Sequence, residues 1–461
     1  FDGGSDINAS LRPVSDKSKG IVKEIKVKAD TAGLTFNMYL DITSIATELK
    51  DVSFRYEFYK GSTKLKEGNF SDTYLNSNTT DCSTNSTKHI ALLTNESIST
   101  SNTSYTLYIW IDGANYTNPN TMMNKTFSFK LHADGEGAVL KKTAADTITE
   151  LYKNASKRTV TNNSITYNTA PSVSLMNDRL GGTTTDLDGG NIRYYGASPN
   201  NYIYFNCSDY SNQSSSTCET WRIIGVFDGK LKIVRNSNIG SLAWDQDKNI
   251  DSSKTTYDNN WSTASLKVLL NEKYYNGNTS GTVTYYSGTS GGTSTSLNMT
   301  NIGIKNDTTR NIIAETAYNL GGWNTFQIYS NQIYGYERGT TVYTGRPTTW
   351  KGKIALAYPS DYGYAADLNR CKQTLEYYKN CTSNNWMKSI ITNNGSYSGW
   401  LLTPHSSGSM TVWDVASVGY VSYSSACNAN GAVPVLSLSS ELGIESGSGD
   451  GSSTNPYQLS V

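Results

Sequence analysis

The N-terminal quarter of the chain alternates apolar and polar side chains with a period of two. In residues 35–42, TFNMYLDI, every second side chain from Phe36 onward is apolar, and 52–59, 105–112 and 126–134 follow the same pattern. Because successive side chains of a strand point to opposite faces, each stretch predicts a strand with one buried face. Several such strands separated by polar loops predict an antiparallel β-sandwich at residues 19–137.

A helical pattern follows this region. Residues 138–155 carry apolar side chains at helical spacing, among them Val139, Ile148 and Leu151. The polar stretch after them predicts a domain boundary, so 138–166 is interpreted as a helix and linker. The helix is either a connector packed on a core or a docking element, and the sequence leaves both open.

From residue 167 onward the pattern indicates many short strands and few helices. The predicted elements are hairpins at 191–206 and 221–235, helices near 262–275, 308–319 and 366–379, a long low-complexity loop at 277–297 and a closing strand at 431–440. Asp228 and Gly229 are the predicted turn of the second hairpin. Residues 167–461 are therefore predicted to form an α+β domain, and the chain as a whole is predicted to be mainly β.

Composition narrows the class of protein. The 461 residues include 39 basic and 39 acidic side chains, and only 17% of residues are charged. No basic stripe indicates a nucleic-acid partner, and no apolar stretch reaches the 18 residues that a membrane-spanning helix needs. Because the sequence begins with Phe1 and is rich in Ser, Thr and Asn, we expect an extracellular chain whose signal peptide has been removed.

The six cysteines fit an oxidising compartment. Two pairs are close in sequence and predict local disulfides: Cys207 with Cys218, and Cys371 with Cys381. Cys82 and Cys427 remain. A bond between them, bonds between subunits and free thiols are all open.

The residues needed for catalysis are not grouped in the sequence. A Ser-His-Asp triad needs a histidine base, and His405 is the only histidine of the C-terminal region. The three histidines, His89, His132 and His405, are too scattered in sequence to predict a zinc cluster. We therefore expect no enzyme.

One acidic segment is a candidate for calcium. Its alternating oxygen ligands resemble the start of a calcium loop: Asp245, Asp247, Asn249 and Asp251. An EF-hand loop requires glycine at its sixth position and glutamate at its twelfth, where this chain has Ile250 and Thr256. An irregular calcium site and a solvated acidic turn are the two interpretations, and no other cofactor is expected.

Part of the N-terminal region resembles a known family. The stretch YTLYIWIDG at 105–113, the following block to residue 135, and FNMYLDI at 36–42 resemble the TasA/camelysin family of secreted fibre-forming proteins. The resemblance implies a jelly-roll-like sandwich whose subunits join when an N-terminal strand inserts into the neighbouring subunit. The arm at 1–18 would then contain the donor strand within residues 1–14, with these assembly residues: Ile7, Ala9, Leu11 and Val14.

A second resemblance covers much of the C-terminal region. It is carried by WRIIGV (221–226), SGWLLTP (398–404), VWDVASVGYV (412–421), AVPVLSLSSEL (432–442) and GDGSSTNPYQL (449–459). These stretches resemble an uncharacterised domain of Gram-positive surface proteins, and the last of them are similar to C-type-lectin-like display domains related to formylglycine-generating enzymes. Because no pair of reactive cysteines matches those enzymes, oxidase activity is not implied.

The lectin-like resemblance implies core strands and an exposed ligand surface around residues 398–423. The expected core anchors are Trp400, Leu401, Leu402, Val412, Val415 and Val418. The expected ligand surface is His405, Ser406, Ser409, Met410, Tyr420 and Tyr423.

The sequence thus predicts the structural subunit of a bacterial extracellular fibre, assembled from copies of itself by non-covalent strand exchange, with a displayed C-terminal domain. The alternative is a monomeric surface adhesin or lectin that binds a glycan or host protein. A secreted hydrolase is the third hypothesis.

Overall fold

The structure is a computed structural model that describes residues 7, 11–29, 33–81, 87–116, 121–122, 124–135, 142–249, 256–445 and 447–461. The chain divides into two compact units, Phe1–Asp146 and Thr147–Val461. The prediction of a mainly β chain is confirmed. Among the described residues, no helix combines the length and apolar character needed to span a membrane.

The N-terminal unit consists almost entirely of strands. Its described strands are β1 (Pro13–Val14), β2 (Ile21–Val27), β3 (Thr35–Ile45), β4 (Phe54–Lys60), β5 (Thr63–Asn69), β6 (Thr80–Asp81), β7 (Lys88–Ser97), β8 (Thr103–Asp112) and β9 (Phe127–Gly135). An α-helix at Asp72–Asn78 and 3₁₀ turns at Lys17–Lys19 and Thr47–Leu49 connect them.

These strands form two sheets. One has the order β1-β8-β4-β5, with β2 also paired to β8, and the other has the order β6-β7-β3-β9. Apolar side chains from both sheets form a single hydrophobic cluster, in which Phe36, Met38 and Leu40 of β3 are fully buried. The alternation in the sequence therefore identified the buried face correctly. Val52 is the exception, because it lies in the turn before β4 and is 57% exposed.

The predicted helix and linker at 138–166 differ from the structure. The helix is shorter, Ala144–Asn154, and Val139 lies outside the described residues. The polar stretch after it is not a linker, because β10 (Arg158–Asn162) and β11 (Ile165–Ala170) form a hairpin there. Thr and Tyr give this stretch strand propensity, and its pairing with the next strand adds it to the C-terminal sheet.

The C-terminal unit continues with short strands. They are β12 (Leu175–Asn177), β13 (Ile192–Tyr194), β14 (Tyr202–Phe205), β15 (Glu219–Phe227), β16 (Lys230–Arg235), β17 (Ser241–Leu242), β18 (Thr282–Ser287), β19 (Thr293–Asn298), β20 (Thr316–Asn319), β21 (Thr349–Gly352), β22 (Ile354–Ala355), β23 (Gly399–Pro404), β24 (Thr411–Val415), β25 (Val421–Ser425), β26 (Asn430–Gly431), β27 (Val435–Ser437), β28 (Gly443–Ile444) and β29 (Leu459–Ser460).

Short helices connect these strands. They lie at Pro171–Val173, Arg179–Gly182, Asp247–Asn249, Trp261–Thr263, Ser265–Val268, Leu269–Tyr274, Gly277–Ser280, Met299–Ile302, Asp307–Asn311, Ser330–Glu337, Pro359–Tyr364, Leu375–Asn384 and Met387–Ile391.

Two sheets organise the C-terminal unit. A nine-stranded sheet has the order β10-β11-β12-β13-β15-β16-β27-β22, with β14 also on β15, and a five-stranded sheet has the order β17-β26-β23-β24-β25. The β15–β16 hairpin turns at Asp228 and Gly229, both with positive φ, as predicted. The predicted hairpin at 191–206 is wrong, because β13 and β14 both pair with β15 and not with each other. The predicted loop at 277–297 instead contains the β18–β19 hairpin, which buries Tyr285 and Leu297.

Candidate functional site

The N-terminal segment pairs with a sheet edge at Ile7. The Ile7 amide donates to the Phe129 carbonyl at 2.6 Å, and the Phe129 amide donates to the Ile7 carbonyl at 3.2 Å. Phe129 belongs to β9, the last strand of its sheet, so this pairing uses backbone groups on the side of β9 that faces away from β3. Ile7 is only 3% exposed and its side chain joins the hydrophobic cluster of the unit.

The same segment then reaches the other sheet. Leu11 is half-buried against the hydrophobic cluster, and β1 runs parallel to the end of β8, where Val14 pairs with Asp112. The Gly113 amide donates to the Val14 carbonyl at 3.0 Å. Ile7, Leu11 and Val14 are therefore placed against both sheets, whereas Ala9 lies outside the described residues.

A polar anchor follows the segment. Lys17 forms an ion pair with Glu57, and its ammonium lies 4.3 Å from the centre of the Tyr59 ring. Burial alone would raise the pKa of Glu57, but the Lys17 ammonium and hydrogen bonds outweigh burial and lower it. This contact fixes the chain where the segment ends. Upstream of Lys17, the described backbone pairings of the segment are those of Ile7 with β9 and of β1 with β8.

The predicted ligand surface is only partly exposed. Met410 is 39% and Tyr423 41% exposed. Ser406, Ser409 and Tyr420 are half-buried.

His405 is 7% exposed, so its predicted position on an exposed surface is wrong. Its Nε2 lies 3.1 Å from the Asn324 carbonyl oxygen, and Tyr423 covers its ring edge-to-face with centroids 4.7 Å apart. Burial lowers the pKa of His405.

The aromatic side chains near His405 on the chain segment 323–336 were not identified from the sequence. Phe326 packs on Tyr423 at 5.3 Å, and Trp323 stacks on Tyr336 at 3.8 Å. Aromatic density is the only signal that this stretch carries in the sequence.

Among the expected core anchors, the side chains on β23 and β24 are fully buried, whereas Val418 lies in a turn and is 56% exposed.

Strand β24 carries a buried acid. Asp414 Oδ2 accepts hydrogen bonds from Ser424 Oγ at 2.5 Å and Asn430 Nδ2 at 3.0 Å, whereas its Oδ1 is buried with no hydrogen-bond partner among the described residues. Burial raises the pKa of Asp414 to about 6, against the lowering effect of those two hydrogen bonds.

We expect Asp414→Asn to flatten the pH dependence of stability between pH 4 and 7. The raised pKa favours the folded state while the acid is protonated, and that contribution is lost as pH rises through about 6. The wild-type free energy of unfolding should fall by about 2–3 kcal/mol over this range relative to the variant. Urea unfolding of both proteins at pH 4 and pH 7 measures the difference. An equal difference at the two pH values would contradict the assignment.

The acidic segment does not form a calcium cage in the described residues. Both carboxylate oxygens of Asp245 accept hydrogen bonds from backbone amides. The Ser265 amide donates at 2.9 Å and the Asp258 amide donates at 2.7 Å. The Asn249 side chain pairs with the Tyr286 backbone. Asp247 is half-buried in a 3₁₀ turn, and Asp251 lies outside the described residues.

Two disulfides are confirmed. They join Cys207 to Cys218 and Cys371 to Cys381. Cys427 is a buried free thiol, and Cys82 lies outside the described residues.

The expectation that the histidines are too scattered to form a cluster is wrong for two of them. His89 on β7 and His132 on β9 both approach Asp41 on β3, and one potential ligand atom from each of the three lies within 4.8 Å of the others. Sequence reasoning missed this group because its members come together only through strand pairing. Strand alternation in the sequence could have assigned each of the three side chains to one face of its own strand. It could not have given the register that aligns the three strands.

No family model, curated protein or solved structure matches this chain.

Proposed function

We propose that the protein is the structural subunit of a bacterial extracellular fibre, assembled when the N-terminal segment of one copy pairs with the next copy. The observation that carries this proposal is the place of Ile7, which is buried at the outer edge of β9 with both backbone groups paired. A strand edge that accepts a segment of its own chain can accept the same segment from another copy with the same hydrogen bonds.

The energetics of burial permit such an exchange. Burying an isoleucine side chain contributes about 1.5–3 kcal/mol, and this contribution is the same within one chain or between two. The Lys17–Glu57 ion pair holds the downstream end of the segment to its own unit. The part of the segment around Ile7 could therefore leave β9 while β1 stays paired with β8, and each donor would cover the open edge of the next subunit.

The paired local disulfides are compatible with an extracellular location. In this proposal the C-terminal unit is displayed along the fibre. Its partly exposed residues around Tyr423 and Met410 are the candidates for contact with a host surface or glycan.

Removing residues 1–14 is expected to abolish filaments, because the donor is lost. Ile7→Asp should have the same effect, since a carboxylate cannot enter the apolar site, whereas Val52→Asp alters an exposed turn and should leave filaments intact. Negative-stain electron microscopy of the four purified proteins measures this. A synthetic peptide of residues 1–14, added to the wild type, should shorten the filaments.

Filaments from the truncated chain would overturn strand exchange through this segment. Monodisperse particles in all samples would overturn the fibre proposal and favour the alternative, a monomeric adhesin. In that case Tyr423→Ala should weaken binding of the chain to a glycan array.

A further inference from the structure

Strand pairing in the N-terminal unit places three potential metal ligands side by side. β3 lies between β7 and β9, and Asp41 of β3 is directly opposite His89 of β7. Tyr39, two residues before Asp41, is opposite His132 of β9. Residues two apart on a strand share a face, so Asp41 and both histidines lie on the same face of this sheet, away from the buried Met38 and Leu40.

The distances suit metal coordination better than hydrogen bonding. Asp41 Oδ1 lies 3.5 Å from His132 Nδ1 and 3.8 Å from His89 Nδ1. Both separations exceed the 2.7–3.2 Å typical of a direct N–H···O bond. Two ligand atoms bound to one tetrahedral zinc, each about 2.0–2.1 Å from the metal, lie about 3.3 Å apart, close to the separations seen here.

The group is buried and its rings are held in place. Asp41 is 2% exposed, and both histidines are 8% exposed. Neither histidine Nδ1 has a hydrogen-bond partner among the described residues. Tyr39 stacks on His89 with ring centroids 4.3 Å apart and contacts His132 at 5.3 Å, which fixes the orientation of both imidazoles. Buried polar nitrogens without a partner are rare in native proteins, so a role as metal ligands is a physical explanation for them.

From this geometry we propose that Asp41, His89 and His132 bind one divalent transition-metal ion. Two imidazoles and a carboxylate suit zinc and its first-row neighbours, whereas calcium and magnesium prefer all-oxygen sites. Three protein ligands leave a position for water. The ion would link β7, β3 and β9. This proposal does not depend on strand exchange.

Zinc binding by the 461-residue chain tests the site. The untagged protein is treated with chelator, and ZnCl₂ is titrated calorimetrically into the wild type and into His89→Gln, His132→Gln, Asp41→Asn and His405→Gln. We expect one zinc per chain, at least tenfold weaker binding in the first three variants and unchanged binding in His405→Gln, which alters the third and last histidine of the sequence. Wild-type protein that binds no zinc, or binding that survives in both His89→Gln and His132→Gln, would overturn the proposal.

A measurement on the wild type keeps the test valid if a variant misfolds. Cobalt(II) added to the metal-free protein should give the visible absorption of a low-symmetry four- or five-coordinate site, and zinc should displace it. X-ray absorption of the zinc-loaded chain should show two imidazole ligands about 2.0–2.1 Å from the metal. A zinc shell without imidazole would contradict the assignment. Electron microscopy of the same protein samples separates the metal-site proposal from the fibre proposal. The protein can form filaments without binding zinc, and it can bind zinc without forming filaments.

Discussion

Replacing Arg193 by leucine is expected to lower the free energy of unfolding of the C-terminal unit by about 3–5 kcal/mol. Arg193 is 1% exposed and bridges two fully buried carboxylates, Asp178 at 2.6 Å and Asp361 at 2.9 Å. Lys232 is the second cation on Asp361. Removing Arg193 leaves the Asp178 carboxylate without its cation in the protein interior. Because the interior solvates charge poorly, the loss of stability is large.

Aromatic rings enclose the guanidinium. Its central carbon lies 4.6 Å from the centre of the Phe227 ring and 4.9 Å from that of Tyr364. These contacts exclude water and hold the side chain over its partners, so leucine cannot replace both the charge and the packing.

An exposed ion pair of the same unit provides the control. Lys351 and Glu315 are 2.7 Å apart but 69% and 52% exposed, so Lys351→Leu should change stability by less than about 1 kcal/mol. Urea unfolding at pH 7 of the wild type and both variants compares the two pairs. Similar losses in the two variants would show that burial of Arg193 does not decide its contribution.

Acid provides a second measurement on the same network. Burial alone would raise the pKa of Asp361, but Lys232 and Arg193 reverse this and lower it to about 2. A lowered folded-state pKa stabilises the fold above the unfolded value near 4, and this stability is lost as pH falls toward 2. We expect the free energy of unfolding, measured by urea unfolding, to fall less between pH 4 and pH 2 in the Arg193→Leu protein than in the wild type.

Phe54→Ala is expected to destabilise the N-terminal unit by about 3–5 kcal/mol. Phe54 is fully buried on β4, and its ring centre lies 4.6 Å from that of Phe70 and 5.1 Å from that of Phe127. The contact with Phe127 of β9 joins the two sheets, so truncation leaves a cavity that strand backbones on both sides cannot close.

Val52→Ala is the matched control, because Val52 lies two residues earlier and is 57% exposed. Differential scanning calorimetry should show a lowered transition of the N-terminal unit in Phe54→Ala and an unchanged one in Val52→Ala. A loss below about 1 kcal/mol in Phe54→Ala would contradict the assignment of Phe54 to the centre of the core.

The parts of the fold that the sequence predicted are those that depend on local spacing. The alternation at 35–42 identified both β3 and its buried face, and Asp228–Gly229 located the turn between β15 and β16. Cysteines ten or eleven residues apart were paired correctly for the same reason, because a short loop brings them together. Where the pattern was ambiguous, as at 277–297, strand pairing decided that a Ser- and Thr-rich stretch becomes a hairpin.

The sequence by itself determined that this protein is mainly β, and it located four of the N-terminal strands, β3, β4, β8 and β9, with their buried faces, because a period of two is a property of neighbouring residues. Only the tertiary structure decided which side chains meet across strands. Asp41, His89 and His132 come together through the register of β7, β3 and β9, and Ile7 meets Phe129 at a sheet edge. Such contacts depend on the alignment of strands far apart in sequence, and no local pattern encodes that alignment.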